Sequence, residues 1–288
     1  MTTVEVVAGP PPADAARLRQ QVFVGEQGVD PGVEADAQDA IATHAVLRDG
    51  AGTVVATGRL LDPGGDLTRG RVGRMAVAPE HRGGGHGAVA LQALEAAARR
   101  QGLIGIELHA QEHAAGFYDR QRYVRQGEPY LEQGIVHVTM TRDWLPGIRP
   151  VTDDDAAAIQ ALIGGCFAEY EGCVLDLDDL DAWMLAPATA DDRVLWVVPG
   201  PEGRLLASVG HAHGELKSLY VARDGRGRGL GESLVRLAER AGADHLWTDI
   251  RFADAHRLYG RLGWVRTGAA RDLNDPSSTT EWAFARPV

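Results

Sequence analysis

The sequence predicts two tandem domains, each of which mixes β-strands with α-helices. The 288-residue chain carries the same glycine-rich stretch twice, at residues 82–87 and 226–231, and the two copies begin 144 positions apart. In both copies a strand-like apolar run precedes the glycines and a helix-like run follows them. A repeat at half of the chain length predicts two similar domains of about 145 residues, each large enough for its own core.

The glycine-rich stretches predict sites for a phosphate or pyrophosphate group. Glycine lacks a Cβ atom and lets the backbone turn sharply from a strand into a helix. The first N–H groups of a helix have no partner within it and lie at the positive end of its dipole, so they bind anions. The expected binding residues are Arg82, Gly83, Gly84, Gly85, His86 and Gly87 in the first domain, and Arg226, Gly227, Arg228, Gly229, Leu230 and Gly231 in the second.

Three kinds of glycine-rich turn match these stretches less well. A Walker-type loop ends in Gly-Lys-Ser/Thr, but the only lysine of the chain is Lys217. A dinucleotide fingerprint is matched loosely by Gly83, Gly85 and Ala88, yet it belongs near the start of a βαβ unit, and here a third or fourth strand precedes it. A plain helix start with flexible glycines accounts for one copy better than for two.

The spacing of both stretches resembles the coenzyme A loop of the GNAT superfamily of N-acetyltransferases. That loop reads Arg/Gln-x-x-Gly-x-Gly/Ala between a strand and a helix, and both copies match it. The resemblance implies an α+β fold, a mixed and mostly antiparallel sheet with helices on both faces, occurring twice in tandem. It also implies acetyl-CoA, or a close acyl-CoA, as the co-substrate.

The elements predicted for the first domain, residues 1–144, follow the GNAT order of strand, helix, three antiparallel strands, helix, strand, helix and strand. We expect a polar loop at 28–38. The family has glycine before the aromatic residue that begins its sixth strand, whereas Arg122 precedes Tyr123 here. The expected strands are 4–7, 44–48, 53–61, 72–78, 104–110, a segment from 123, and 135–141; the expected helices begin after Pro12 and span 88–100 and 114–120.

The first domain is also similar to the ElaA-type branch of GNAT proteins. The similarity covers about residues 20–140. It is carried by Val22-Phe23-Val24-Gly25-Glu26-Gln27, by Glu34-x-Asp36-x-x-Asp39 with His44, by Arg74-Met75-Ala76-Val77 and by Leu108-His109-Ala110-Gln111.

The second domain, residues 148–288, follows a short junction marked by proline and glycine. Its acidic run at 176–183 is expected to form a solvated amphipathic helix, or otherwise to line the mouth of an amine site. Residues 247–259, followed by Leu273, Asp275 and Glu281, resemble a recurring bacterial GNAT type. The expected strands are 148–151, 194–198, 205–211, 216–222 and 245–250; the expected helices begin at 153 and span 230–241 and 253–262.

The resemblance implies where the cofactor binds. In GNAT proteins the sheet splays apart between the fourth and fifth strands, the thioester enters the notch, and pantetheine pairs with the exposed edge of the fourth strand. Here that edge is expected at Met75, Ala76 and Val77 in the first domain and at Leu219, Tyr220 and Val221 in the second.

The resemblance also implies a general acid for the departing thiolate. The family places a tyrosine at the positions of Tyr118 and Tyr259, and a phenol with an ordinary pKa of about 10 can protonate a thiolate. The alternative is a helix tyrosine that only packs on the sheet. Glu215 is the expected general base, although a base can also act through water. The other candidate bases are His211 and His213 in the second domain and Glu26, Glu107 and His109 in the first.

Composition narrows the class of partner. The net charge of −11 argues against nucleic acid and is compatible with a cationic amine substrate. We expect no membrane span, because no apolar run approaches 18 residues, and no signal peptide. Cys166 and Cys173 form no metal pattern and fit small buried residues in a reducing cytoplasm, so we expect a cytoplasmic protein without a metal.

Together these features predict an acyl-CoA-dependent N-acetyltransferase that acts on a small primary amine. We expect a monomer, which is an internal pseudo-dimer, or a homodimer. One alternative is a protein that senses acyl-CoA without turnover, with one or both domains as pseudo-enzymes. The other is acetylation of protein lysines or N-termini.

Overall fold

A computed structural model describes residues 1–273 and 276–287 of the chain. The chain divides into two compact units, Met1–Asp143 and Trp144–Val288. Asp275, part of the motif singled out in the second domain, lies outside the described residues.

The first unit is built on a seven-stranded sheet with the order β1-β2-β3-β4-β5-β7-β6. Neighbouring strands run antiparallel except β4 and β5, which are parallel. Its strands are β1 (Thr3–Ala8), β2 (Thr43–Arg48), β3 (Val54–Leu61), β4 (Arg69–Val77), β5 (Gly105–Gln111), β6 (Val124–Glu132) and β7 (Ile135–Asp143). Its helices are α1 (Ala13–Arg19), α2 (Pro31–Glu34), α3 (His86–Arg100) and α4 (Ala115–Arg120).

The second unit repeats this plan, with the sheet order β13-β14-β12-β11-β10-β9-β8. Only β11 and β12 pair in parallel among its described strands. The predicted mixed, mostly antiparallel α+β fold in tandem is therefore confirmed. The strands are β8 (Arg149–Pro150), β9 (Val194–Pro199), β10 (Leu205–Ala212), β11 (Glu215–Val221), β12 (His245–Asp249), β13 (Val265–Asp272) and β14 (Thr280–Ala285). The helices are α5 (Ala156–Phe167), α6 (Leu230–Arg240) and α7 (Ala253–Arg261).

Both units tie the helix after the glycine-rich loop to the sheet through a buried glutamate. Glu95 on α3 accepts a hydrogen bond from the Tyr123 hydroxyl at 3.0 Å. Glu239, 144 positions later on α6, accepts one from the Trp264 indole at 2.7 Å. Since a buried carboxylate is stable only when its oxygens have partners, the aromatic residue that precedes β6 or β13 fixes the helix against the sheet.

Two expectations about local structure, a loop at 28–38 and an amphipathic helix at 176–183, were wrong. The segment at 28–38 is not a plain loop, because α2 and a 3₁₀ turn at Ala37–Ile41 occupy much of it. The acidic run at 176–183 forms turns instead of an amphipathic helix, with only a 3₁₀ turn at Ala182–Leu185 nearby. Asp181 accepts the backbone N–H of Asp176 at 2.9 Å, which shows how aspartate side chains compete with helical hydrogen bonds.

A network of buried charges orders the segment at 28–38. The Arg19 guanidinium, 1 % exposed, pairs with Glu34 at 2.5 Å and with Asp39 at 2.9 Å. Arg59 on β3 pairs with Asp36 at 2.7 Å and with Asp39 at 2.9 Å. These short contacts offset the cost of removing the charges from water, and they hold residues 31–41 against the sheet.

His44 lies beside this network and is fully buried. Its Nε2 is 3.4 Å from the Asp39 carbonyl oxygen. Burial lowers the pKa of His44 below its ordinary value of 6.5, and the charges of Arg19 and Arg59 lower it further, against the opposing effect of Asp39.

We therefore expect the first unit to lose stability as the pH falls below about 6.5. In that range the unfolded chain binds a proton at His44 that the folded chain does not, so the free energy of unfolding decreases by up to about 1.4 kcal/mol per pH unit. Hydrogen exchange of β2 and β3 amides, followed by mass spectrometry between pH 7.5 and 5.5 and corrected for intrinsic exchange, measures this.

The His44→Gln variant is the control, because it removes the titrating group. Its pH dependence over this range should be flatter than that of the parent. Hydrogen exchange is needed because all six tryptophans lie at position 144 or later, so fluorescence reports only the second unit. An unchanged slope in the variant would assign the effect to another group.

Candidate functional site

A gap opens in each sheet where its parallel strand pair ends. β4 and β5 pair only from Arg69↔Gly105 to Val72↔Leu108, and β11 and β12 pair only at Glu215↔His245 and Leu216↔Leu246. Within the part of the chain that the structure describes, no strand pairs with residues 73–77 or 217–221 on the side of the gap. The expected cofactor edges, Met75–Val77 and Leu219–Val221, lie on these unpaired stretches.

The strand beside each gap contains one residue in a left-handed backbone conformation. Arg74 has a φ angle of 53° and Ser218 has one of 51°. The two residues are 144 positions apart and neither is glycine, so an equivalent irregularity interrupts both strands despite its conformational cost. The register of β4 with β3 and of β11 with β10 also shifts near these residues. These irregularities help to explain why the strand pairs separate there.

The two glycine-rich loops share one backbone conformation. The φ angles of Gly83 and Gly85 are 78° and 81°, and those of Gly227 and Gly229 are 74° and 81°. L-residues rarely adopt such angles, so these four positions require glycine. Gly85 and Gly229 immediately precede α3 and α6, which leaves the first N–H groups of each helix at the loop.

A second glycine role is close packing at the start of the helix. A Cβ atom added at Gly87 would lie 3.3 Å from Val77, and one added at Gly231 would lie 3.2 Å from Leu258. His86 and Leu230 are the first residues of α3 and α6, so these expected loop residues belong to the helices. In the first unit Gly84 lies between the left-handed glycines Gly83 and Gly85, and in the second unit Arg228 lies between Gly227 and Gly229.

The loop arginines brace the loops. Arg82 donates from Nε to the Val77 carbonyl oxygen at 3.2 Å and pairs with Glu26 at 2.7 Å. This geometry connects the end of β4 to the helical segment after α1. Glu26, a candidate general base from the sequence, is thus paired with the cofactor loop.

The second unit repeats this contact. Arg226 donates from Nε to the Val221 carbonyl oxygen at 3.0 Å and pairs with Glu169 at 2.7 Å. Hydrogen bonding to Glu169 raises the pKa of Arg226 further above its ordinary value, and an arginine is protonated at physiological pH in any case. No spacing rule joins Glu169 to Arg226 in the sequence, because they are 57 residues apart.

A cavity of about 450 Å³ follows the loop of the second unit. Its wall contains the expected residues Leu219, Tyr220, Val221, Arg226, Gly227, Gly229, Leu230 and Gly231. The other wall residues are Cys166, Tyr170, Glu232, Phe252, Asp254, Ala255, Arg257, Leu258 and Arg261. The motif at 247–259 contains five members of this second set, but none of the set was predicted to bind the cofactor, although Asp254, Leu258 and Arg261 have the spacing of one helical face.

The two candidate acid tyrosines are buried. Tyr118 is 8 % exposed, packs against Phe117 and Tyr123, and has its pKa raised to about 12 by burial. Tyr259 is 4 % exposed, packs against Trp264 and Phe284, and has its pKa raised above the ordinary value by burial. Both phenols therefore keep their proton at physiological pH.

Tyr259 lies beside the cavity and not in its wall. Among the described residues, the cavity wall includes Leu258 but not Tyr259. The tyrosine lies one position further along α7, with its ring in the core.

Glu215 lies apart from the cofactor loop. It pairs with Lys217 at 3.0 Å and lines a separate polar cavity of about 160 Å³, together with His213 and His245. This cavity is at the closed end of the gap, where β11 and β12 still pair. The structure therefore does not bring Glu215 together with the loop.

The remaining candidate bases have other neighbours. His213 pairs with Asp192 at 2.5 Å, and the His211 ring packs against Trp196 at 5.3 Å. In the first unit His109 lies 3.8 Å from Glu107. None of these contacts involves a residue of a glycine-rich loop.

The described residues contain neither a metal cluster nor a membrane-spanning helix. Across residues 1–273 and 276–287, no group of three or more His, Cys, Asp or Glu side chains is placed to hold a metal ion. In the same residues, no helix combines the length and apolarity needed to cross a membrane.

Comparison with protein-family models assigns both halves of the chain. Residues 23–143 match the model described as "Acetyltransferase (GNAT) domain". Residues 161–264 match the model described as "Acetyltransferase (GNAT) family".

Individual relatives match about half of the chain. The uncharacterised N-acetyltransferase YjcF of Bacillus subtilis is 37 % identical over 131 residues, which cover 45 % of this chain and 91 % of YjcF. The crystal structure of an acyl-CoA N-acyltransferase from Pseudomonas aeruginosa is 29 % identical, with a TM-score of 0.44, and covers 49 % of this chain and 99 % of its own. That of Escherichia coli ElaA is 26 % identical, with a TM-score of 0.45, and covers 50 % of this chain and 100 % of its own.

The brace formed by Arg226 leads to a test. Arg226→Lys keeps the charge but cannot contact Val221 and Glu169 together, because lysine lacks the planar fork of arginine. We expect coenzyme A affinity at the second loop to fall about tenfold, the loss of roughly one charge-assisted hydrogen bond. Isothermal titration calorimetry measures this.

Arg228→Lys is the matched control. Arg228 belongs to the same loop but takes no part in the contacts of Arg226 with Val221 and Glu169, so its replacement should change the affinity less than about threefold. Retained affinity in both variants would show that charge alone, and not the brace, determines binding, and equal losses would show that the loss is not specific to the brace.

Proposed function

We propose that this chain transfers an acetyl or closely related acyl group from acyl-CoA to a small primary amine. The chain belongs to the GNAT family of acyltransferases and carries two such domains in tandem. We place the two domains at residues 1–144 and 148–288. The observation that carries the proposal is the combination of an unpaired strand edge and a left-handed glycine loop at the same place in both units.

The loop supports the proposed cofactor site. Helix-start N–H groups suit a pyrophosphate, and an unpaired strand edge can pair with the amide groups of pantetheine. In the second unit Arg226, Arg257 and Arg261 line the cavity together with Glu232 and Asp254, which leaves one net positive charge in its wall for an anionic ligand.

The acyl transfer then proceeds by direct attack. The amine nitrogen forms a bond to the thioester carbonyl carbon, and the carbon–sulfur bond breaks to release the thiolate. We assign the phenols of Tyr118 and Tyr259 to protonate that thiolate. The place of Tyr259 directly after Leu258 of the cavity wall supports this assignment. Each phenol carries its proton at neutral pH, whereas burial, which raises the pKa of both, makes them weaker acids.

We assign removal of the amine proton in the second domain to Glu215, acting through water. Its place in a separate polar cavity supports a relayed transfer better than a direct one. Lys217, the sole lysine of the chain, holds the carboxylate in position through the ion pair at 3.0 Å.

The tyrosine assignment predicts a loss of rate without a loss of binding. Tyr259→Phe removes only the hydroxyl, so acyl-CoA affinity should stay within about twofold while the acetylation rate falls about a hundredfold or more, the usual contribution of a general acid. Tyr118→Phe should do the same for the first domain. Steady-state release of free thiol with a screened panel of primary amines measures the rate.

Tyr123→Phe is the control for these variants. It removes the hydrogen bond to Glu95, so it should lower stability without a matching loss of rate. A protein that senses acyl-CoA would show binding but no rate in the parent, and that outcome would replace the enzymatic proposal.

The two cofactor loops predict two binding sites. Gly85→Glu and Gly229→Glu each place a strained, negatively charged residue where the pyrophosphate is expected. Titration of acetyl-CoA should give two sites in the parent and one in each variant. If only Gly229→Glu removes a site, the first domain serves as a scaffold, and no binding in the parent would refute the proposed function.

A further inference from the structure

The two domains differ at four positions that surround the gap. The first position directly follows the glutamate that pairs with the loop arginine. It is Gln27, after Glu26, in the first domain and Tyr170, after Glu169, in the second. Because both glutamates pair with the equivalent loop arginine at 2.7 Å, residues 27 and 170 occupy equivalent places.

The second position lies on the other side of the gap. Gln111 ends β5 seven residues before Tyr118, and Phe252 precedes α7 seven residues before Tyr259. Residues 111 and 252 are therefore equivalent as well.

These two positions touch each other in both domains, with different chemistry. In the first domain Gln111 donates from Nε2 to Oε1 of Gln27 at 2.9 Å. In the second the rings of Tyr170 and Phe252 pack with their centroids 4.9 Å apart. The same contact across the gap is polar in one domain and aromatic in the other.

The remaining two positions extend this difference. Ala76 on β4 corresponds to Tyr220 on β11, 144 positions later, and Val24 corresponds to Phe167, since each lies two residues before the bracing glutamate. The Phe167 ring packs 5.9 Å from Tyr220 and 6.0 Å from Phe252. Phe167 thus joins the two sides of the gap in the second domain.

We name Phe167, Tyr170, Tyr220 and Phe252 the aromatic wall. All four side chains are only partly buried, and three of them line the 450 Å³ cavity that continues into the cofactor loop. Partly exposed aromatic rings in a cleft mark a surface for an apolar ligand group. Because the cavity is continuous with the cofactor cradle, the group that reaches the wall is carried by the cofactor.

We propose that the second domain selects an acyl-CoA whose acyl group is longer and more apolar than acetyl, and that the aromatic wall binds this group. The first domain, with Gln27 and Gln111 across its gap, lacks this selectivity. The inference rests on the proposed acyl-CoA site and adds to it the class of acyl group.

The hydrophobic effect predicts how the affinity of each site changes with the length of the acyl group. Each methylene that leaves water for an apolar surface improves binding by about fourfold when fully buried. A methylene placed against the glutamine pair gains less, since amide groups lose hydration without gaining a partner. Affinity should therefore rise with acyl length at the second site and stay nearly flat at the first.

The experiment titrates each site with coenzyme A, acetyl-CoA, butyryl-CoA and hexanoyl-CoA. Gly85→Glu isolates the second site and Gly229→Glu isolates the first in the full-length protein. At the second site we expect hexanoyl-CoA to bind at least about tenfold more tightly than acetyl-CoA, since four methylenes move toward the wall. At the first site we expect a difference below about threefold.

Paired exchanges test the wall itself. Tyr170→Gln with Phe252→Gln should flatten the dependence on acyl length at the second site, with a smaller loss of affinity for coenzyme A than for hexanoyl-CoA. Gln27→Tyr with Gln111→Phe should create such a dependence at the first site, so the test does not rely on a loss of function alone. Circular dichroism confirms folding.

The outcomes distinguish the two proposals. No binding of any thioester or of coenzyme A refutes the proposed function. Binding that is flat, or that weakens with acyl length at the second site, overturns only the acyl-length inference. An equal loss for coenzyme A and every thioester in the Tyr170→Gln, Phe252→Gln variant also overturns it, because the wall would then contact pantetheine and not the acyl group.

Discussion

The early end of parallel pairing between two strands is the constraint on which the rest of this structure depends. β4 and β5 separate after Val72↔Leu108, and β11 and β12 separate after Leu216↔Leu246. Separation leaves main-chain hydrogen-bonding groups without a partner strand, which a folded sheet tolerates only where a ligand or water can bind them. The glycine loop, the following helix and the candidate tyrosine are all arranged around that opening.

The arginine at the start of each glycine-rich loop both attracts anions and holds the loop in place. An arginine at the start of each loop attracts an anion, but its guanidinium is already held by a carbonyl oxygen and by Glu26 or Glu169. The brace fixes the loop before a ligand arrives, so less conformational entropy is lost on binding. In the first domain the buried pairs of Arg19 and Arg59 fix the neighbouring segment in a similar way.

The loops, most strands and the tandem organisation could be predicted because they depend on local rules. Glycine has a distinct conformational range, and apolar periodicity indicates strands and helices without knowledge of the fold. The brace at Glu169 and the contact of Tyr170 with Phe252 could not be predicted, since they join residues that are far apart in sequence. Arg122 keeps a left-handed turn, with a φ angle of 66°, where the family has glycine, so surrounding contacts there override local preference.

Comparison of the two domains distinguishes residues that the backbone conformation requires from residues that determine which ligand binds. Gly83, Gly85, Gly227 and Gly229 are glycine in both copies because their φ angles allow little else. Side chains that face the gap have no such backbone requirement, since another residue there keeps the same main chain. Gln27 and Tyr170 each follow the glutamate that pairs with the loop arginine, so the proposed difference in acyl selectivity comes from the side chains at these positions, while the cofactor loop keeps one conformation in both domains.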